Sequence, residues 1–230
     1  MSATALKLIS SMATRDILGE LVPRYQRATA QAVASEAAGG VDVAKRVQAG
    51  EAVDVVILSS NAIDKLIAEN KLLAGSRVDL VKSGIAVAVR AGSAKPDISS
   101  ESAVKDAVLA AKTLSFSTGP SGIYLEKMFE RWGILEKIRS RIMVPPPGVP
   151  VGSLVAGGAV ELGFQQLSEL LGVPDVDVIG PLPAAIQSIT IFSGGISTSC
   201  RDPEAARAFL HYLASPAVSA VKQQHGMEAA

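Results

Sequence analysis

Apolar positions along the chain alternate between two spacings, and the alternation predicts its elements. Leu6 to Ser10 is a short strand-like run, and Arg15 to Thr29 carries Ile17, Leu18, Leu21, Val22 and Tyr25 on one helical face. A helix over Asp42 to Gln48, a strand over Val53 to Leu58 and a helix over Ile63 to Asn70 follow, then a strand from Gly84 to Val89. After a loop rich in Gly, Ser and Pro from Gly92 to Ser100, a helix runs through Lys112, Leu114 to Ser117 is a strand, and Ile123 to about Trp132 is a helix. Pro145-Pro-Pro147 is a break that no helix crosses, because proline lacks the N–H and fixes φ. Leu154 and Val155 end a helix, Val160 to Phe164, Val176 to Ile179 and Ile186 to Phe192 are strands, and helices over Asp202 to Leu213 and Pro216 to Gln224 close the chain. Runs such as Val53 to Leu58, apolar on both faces, suit parallel strands covered by helices on both sides. The fold class is α/β.

The polar residues that interrupt this pattern fall at one recurrent place. Apolar strands end in Ser10-Ser11, in Ser59-Ser60-Asn61, and before Thr118 with Ser121-Gly122, each cluster opening a helix; Gly39-Gly40 opens another after a less distinct strand. Such residues are ordinary N-caps worth about 1 kcal/mol each. Together they suggest more, since helix N-termini carry unpaired N–H groups and the positive dipole end, and several converging make an anion site without Lys or Arg. In open α/β sheets the ligand crevice lies outside the carboxyl ends of the strands, where these clusters occur.

Composition narrows the chemistry further. In 230 residues, 22 Lys and Arg balance 22 Asp and Glu, so no basic excess supports nucleic-acid binding. The mean hydropathy is positive, but no apolar run approaches the roughly 20 residues of a membrane span. Cys200 is the single cysteine, which excludes an internal disulfide and a cysteine zinc cluster, and it has no neighbouring His to activate it as a nucleophile. His211 and His225 both lie in the C-terminal helices, so neither a metal site nor any cofactor is expected, and no P-loop or Gly-x-Gly-x-x-Gly turn is present. Met1 to Leu8 lacks a basic start and an apolar stretch before a cleavage site, which predicts a cytoplasmic protein for the chain as written and a periplasmic one if a leader has been removed.

Four segments, Gln48-Ala-Gly-Glu-Ala-Val-Asp-Val-Val-Ile-Leu-Ser59, Gly119-Pro-Ser-Gly-Ile-Tyr124, Leu154-Val-Ala-Gly-Gly-Ala-Val-Glu-Leu-Gly163 and Asp202-Pro-Glu-Ala-Ala-Arg-Ala-Phe-Leu-His-Tyr-Leu-Ala-Ser-Pro216, resemble the molybdate-binding-protein family of type II periplasmic solute-binding proteins in order and wording. The resemblance spans nearly the whole chain. It implies a two-lobed type II periplasmic-binding-protein fold with a two-stranded hinge, residues 1–82 plus 194–230 forming one lobe and 83–193 the other, closing on a small anion in the cleft. The family's oxyanion contacts fall on Ser11, Gly40 or Val41, Ser121, Gly148 or Val149, and Gln166. With the strand-end residues Ser59, Thr118 and Gly122, these are the expected ligand-binding set.

Two positions depart from the molybdate binders, which usually offer a second serine at Gly40-Val41 and a tyrosine at Gln166. Each lost bond to a charged ligand costs roughly 1–3 kcal/mol, so the departures turn the expectation toward a larger organic carboxylate, with Gln165 and Gln166 supplying donors and acceptors. The Gly-Gly-Val loop and the Gln-Gln pair after Leu-Gly-Phe are similar to the aconitate-isomerase subset of the family, which implies a second reading: an enzyme moving an allylic proton on a small unsaturated polycarboxylate. Such a reaction needs an acid and a base beside the substrate carbon, and Tyr124 and Arg15 are the polar groups expected nearest the cleft. The expected partners are a small anionic ligand and, if the chain is exported, an ABC permease.

Overall fold

The computed structural model describes residues 5–146 and 149–230. Its elements are β1 (Leu6–Ser11), α1 (Arg15–Thr29), β2 (Val33–Ala38), α2 (Gly40–Gln48), β3 (Val55–Ser59), α3 (Ser60–Ala68), β4 (Val78–Arg90), α4 (Glu101–Ala110), β5 (Leu114–Phe116), α5 (Pro120–Arg131) and α6 (Leu135–Ile138). The chain continues with α7 (Val151–Ala156), β6 (Leu162–Gln166), α8 (Leu167–Leu170), β7 (Val176–Pro181), β8 (Ile189–Ile196), α9 (Pro203–Ala214), α10 (Ser219–Gln224) and β9 (Glu228–Ala229). They group into two units, Met1–Lys82 with Ile191–Ala230, and Ser83–Thr190. The chain therefore passes between units within β4 and again within β8.

In the first unit the strand order is β2-β1-β3-β8-β4. β1 pairs parallel with β2 and with β3, setting Ser11 opposite Ala38 and Ser10 opposite Ile57. Leu6, Leu8, Val55 and Ile57 pack under α1, α9 and α10, while Ile9, Val56 and Leu58 pack under α2 and α3. Alternate residues of these inner strands thus enter two separate cores, which is why the runs are apolar on both faces.

The second unit carries β4 between β6 and β7, with β5 parallel to β6 beyond it. Ile85, Val87, Leu162 and Phe164 face α4, α5 and α6, and Phe129 of α5 meets both Phe116 and Phe164 edge-on. Ala86 and Ala88 face Leu170 on the other side.

The sheets are mixed, not parallel throughout: β3 with β8, and β4 with β6, β7 and β9, run antiparallel. Continuous apolar runs report burial on both faces and say nothing of direction, so both kinds of inner strand read alike. β8 also starts and ends later than expected. Gln187 turns its amide onto Ile85, accepting from the Ile85 N–H at 2.8 Å and donating to its carbonyl at 3.0 Å, so a side chain fills the place of a strand before Ile189. Past Phe192 the strand continues through Gly194 and Gly195, where any side chain would strike Leu210 and Leu72 respectively. Glycine marks a close approach of backbone and core there, not a strand end.

Candidate functional site

Three strand ends of the first unit lie along one edge. The parallel register sets the ends of β2, β1 and β3 side by side, so Ser11, Gly39-Gly40 and Ser59 emerge together. A side chain begun at Gly40 would stand 3.6 Å from the Ser11 Cβ and 3.7 Å from Leu58 Cδ2, which places Gly40 directly against Ser11. Ser11 is buried, and its hydroxyl has no hydrogen-bond partner among the described residues. Ser59 precedes α3 without capping it, and the first turn of α3 holds no acid. Val41 is exposed on α2.

Caps elsewhere in the chain behave differently. Ser100 accepts from the Ala103 N–H at 3.2 Å and Asp202 from the Ala205 N–H at 2.9 Å, each closing its own helix in the usual way. Ser11 and Ser59 make no such bond, so their hydroxyls are not committed to the helix starts beside them.

Asp42 was not singled out by the sequence, and its position changes the character of this edge. Its Oδ2 stands 3.1 Å from where a Gly39 side chain would begin, folding an exposed carboxylate over the start of α2. The negative charge offsets the positive end of that helix, leaving α3 the better anion-facing start of the two. An acid three residues beyond a Gly N-cap is the signal that would have pointed to it.

In the second unit, β5 and β6 run parallel and end at a common edge. β5 leads through exposed Thr118 into α5, whose first turn holds buried Ser121 and Gly122 and no acid. The Ser117 and Ser121 hydroxyls pair at 2.9 Å. Gly122 has a packing role: a side chain there would run into the Ser117 carbonyl, so only glycine lets α5 start so close to the end of β5.

Adjacent residues of a strand point to opposite faces, and this separates the two glutamines at the end of β6. Gln166 lies opposite Ile85, on the face shared with Phe164, and Gln165 opposite Ala86. Gln165 is fully engaged elsewhere, donating to Glu169 at 2.7 Å and accepting from the Gly152 N–H at 3.4 Å. Gln166 donates to Thr190 Oγ1 at 2.8 Å, and its buried Oε1 has no partner among the described residues.

The remaining sequence candidates are placed as follows. Tyr124 donates its hydroxyl to the Ile186 carbonyl at 2.9 Å, and exposed Arg15 pairs with Asp16 at 2.7 Å. The Val149 N–H donates to the Pro146 carbonyl at 3.0 Å, while Gly148 lies outside the described residues. Cys200 packs against the first unit's core, and burial pushes its thiol up to about 11. Among the described residues no group of three His, Cys, Asp or Glu side chains could hold a metal ion, and no helix is long and apolar enough to cross a membrane.

The arrangement offers hydroxyls, an amide and helix N–H groups at strand carboxyl ends. The azotobacter relative in structure, the periplasmic molybdate-binding protein of Azotobacter vinelandii, superposes with a TM-score of 0.80 at 21% identity, covering 96% of this chain and 98% of that one. A sulfate-binding protein of Mycobacterium tuberculosis H37Rv gives 0.78 at 14% identity over 97% and 86% of the two chains. The fold is thus the two-lobed type II periplasmic-binding-protein α/β fold. Aconitate isomerase from a Pseudomonas species is 37% identical over 231 residues, 98% of this chain and 88% of that protein. The profile of bacterial extracellular solute-binding proteins matches residues 6–228. Matched over nearly its full length, the chain belongs to the bacterial extracellular solute-binding protein family.

Proposed function

We propose that the chain binds a small organic polycarboxylate of the aconitate class through hydroxyls, the Gln166 amide and helix N–H groups at its strand ends. The observation that carries this reading is unmet hydrogen-bonding capacity at two buried strand ends, the Ser11 hydroxyl and one end of the Gln166 amide. Buried polar groups in proteins are almost always paired, so each one left without a protein partner calls for an explanation, and at a strand end beside a helix start a ligand supplies one. Ser83 and Ser115 share the property but lie within strands, away from the helix starts. The 37% identical aconitate isomerase supports the substrate class, and the missing serine and tyrosine of the molybdate binders argue against a small tetrahedral oxyanion. Family membership supports a mature protein that works outside the cytoplasm and delivers its ligand to an ABC permease.

A second reading, isomerisation, is favoured by that same relative. The candidates Tyr124 and Arg15 are both engaged, leaving Asp42 as the carboxylate beside the Ser11 edge that serves as base. It would remove an allylic proton from one aconitate isomer and return it at the other end of the three-carbon unit, while the hydrogen-bond donors hold the charge spread into the carboxylates.

A thermal-shift panel of molybdate, tungstate, sulfate, citrate, cis-aconitate and trans-aconitate tests both. A ligand at about 100 times its Kd adds roughly 2.7 kcal/mol, which raises the melting temperature by about 5–11 °C in a chain of this size. Aconitate should stabilise the wild type, and neither Ser11→Leu nor Ser121→Leu should respond. Stabilisation by molybdate instead overturns the carboxylate reading, and incubating each aconitate isomer with the protein shows by interconversion whether it is an enzyme.

A further inference from the structure

Gln166 is 3% exposed and Thr190 9%, so their contact is shielded from water. The Gln166 amide donates from Nε2 to Thr190 Oγ1, and Oε1 is left unpaired. In that orientation the Thr190 proton also finds no acceptor among the described residues, so the contact leaves an acceptor and a donor unmet at once.

The two ends of an amide have nearly the same size and shape, and their assignment follows from hydrogen bonding. A threonine hydroxyl donates as readily as it accepts. Turning the Gln166 amide over keeps the same packing and the same contact, with Thr190 now donating to Oε1. The acceptor and the hydroxyl are then both satisfied. What remains unmet is the amide NH2 alone, a pure donor, which is the complement of an ionised carboxylate oxygen.

We propose that Thr190 is a positioning residue for ligand binding: its hydroxyl donates to Gln166 Oε1 and holds the amide with its NH2 turned to a ligand carboxylate. The proposal rests on the carboxylate reading above. It assigns Thr190, a residue of β8, a part in choosing the ligand. The opposite orientation would present Oε1 and would select a hydroxyl or a protonated acid.

Titration calorimetry of the full chain with trans-aconitate and cis-aconitate tests this in the wild type, Thr190→Val, Thr190→Ser and Gln166→Glu. Thr190→Val keeps the β-branched shape and removes only the hydroxyl, so it should weaken binding about tenfold, and Thr190→Ser should return it to within about threefold of wild type. Gln166→Glu sets a carboxylate against the ligand's and should weaken binding at least about a hundredfold. The ligand-free melting temperature separates this role from a purely structural one: it should stay within about 4 °C of wild type in Thr190→Val. If it falls further, Gln166→Glu carries the test alone. Wild-type affinity in Thr190→Val, or in Gln166→Glu, overturns the proposal, the latter by showing that the ligand offers a donor there. A wild type that binds neither isomer overturns the carboxylate reading together with this inference, whereas wild-type binding indifferent to both substitutions overturns this inference alone.

Discussion

Replacing Gly122 with alanine separates what holds the α5 start in place from what the ligand touches. A methyl at Gly122 would sit 2.7 Å from the Ser117 carbonyl carbon, closer still to its oxygen, and 3.2 Å from Phe116 Cδ2. Carbon atoms attract at about 3.5 Å, so the carbonyl carbon must recede by roughly 0.8 Å and its oxygen by more. The obstacle is backbone and cannot be relieved by a rotamer change. Overpacking of this kind typically costs 1–3 kcal/mol, which lowers the melting temperature by about 2–12 °C in a chain of this size. The shift also separates Ser117 from Ser121, whose hydroxyls meet at 2.9 Å, so ligand affinity should fall about tenfold or more. Gly119→Ala is the control. Its methyl would meet only Ser117 Oγ, at an ordinary 3.7 Å, and its φ of −84° suits any residue. Scanning calorimetry and ligand titration on both variants decide the matter. A Gly122→Ala protein that melts and binds like wild type, or a Gly119→Ala protein that loses as much, refutes the reasoning.

Gly40→Ser should fold normally, because a Cβ there makes contacts of 3.6 and 3.7 Å, and combined with Gln166→Tyr it should shift preference from aconitate toward molybdate; competition between the two anions measures the change, and an unaltered preference places selectivity elsewhere. Lys222 is 1% exposed, with its ammonium donating to the Leu80 carbonyl at 2.8 Å, and burial holds its pKa below the usual lysine value. Between that lowered value and about 10.4 the unfolded chain binds more protons than the folded one, so wild-type stability should gain from rising pH there. Lys222→Met removes this contribution, and urea unfolding at pH 7 and pH 10 should show its stability difference from wild type shrinking or reversing toward wild type at the higher pH; a constant difference refutes it.

Where a local period decides the structure, the sequence was sufficient. The helix expected over Arg15 to Thr29 is α1 with the same ends, because five apolar residues on one face meet a core that asks for that period. Helix α9 follows Asp202 as expected, since the cap and Pro203 are local signals. Strand direction was not legible, nor were the limits of β8, because both depend on partners distant in sequence. The last helix begins as a 3-10 turn over Pro216–Val218 before α10, a change of hydrogen-bond pattern that composition does not announce.

The candidate site shows the same division. Residue types at strand ends suggested an anion, but Ser11, Ser59 and Ser100 look alike as serines before helices. Only Ser100 spends its hydroxyl on the helix behind it. Gln165 and Gln166 are also alike in sequence, yet one is committed to Glu169 and Gly152 while the other keeps an unmet group beside Thr190. What distinguishes a candidate binding residue from its structural double here is therefore unspent hydrogen-bonding capacity, a tertiary property. On the proposed function, such neutral groups let a chain with no net charge select an anion. On that proposal selectivity rests on the number and direction of fixed donors, and turning over the one Gln166 amide exchanges an acceptor for a donor.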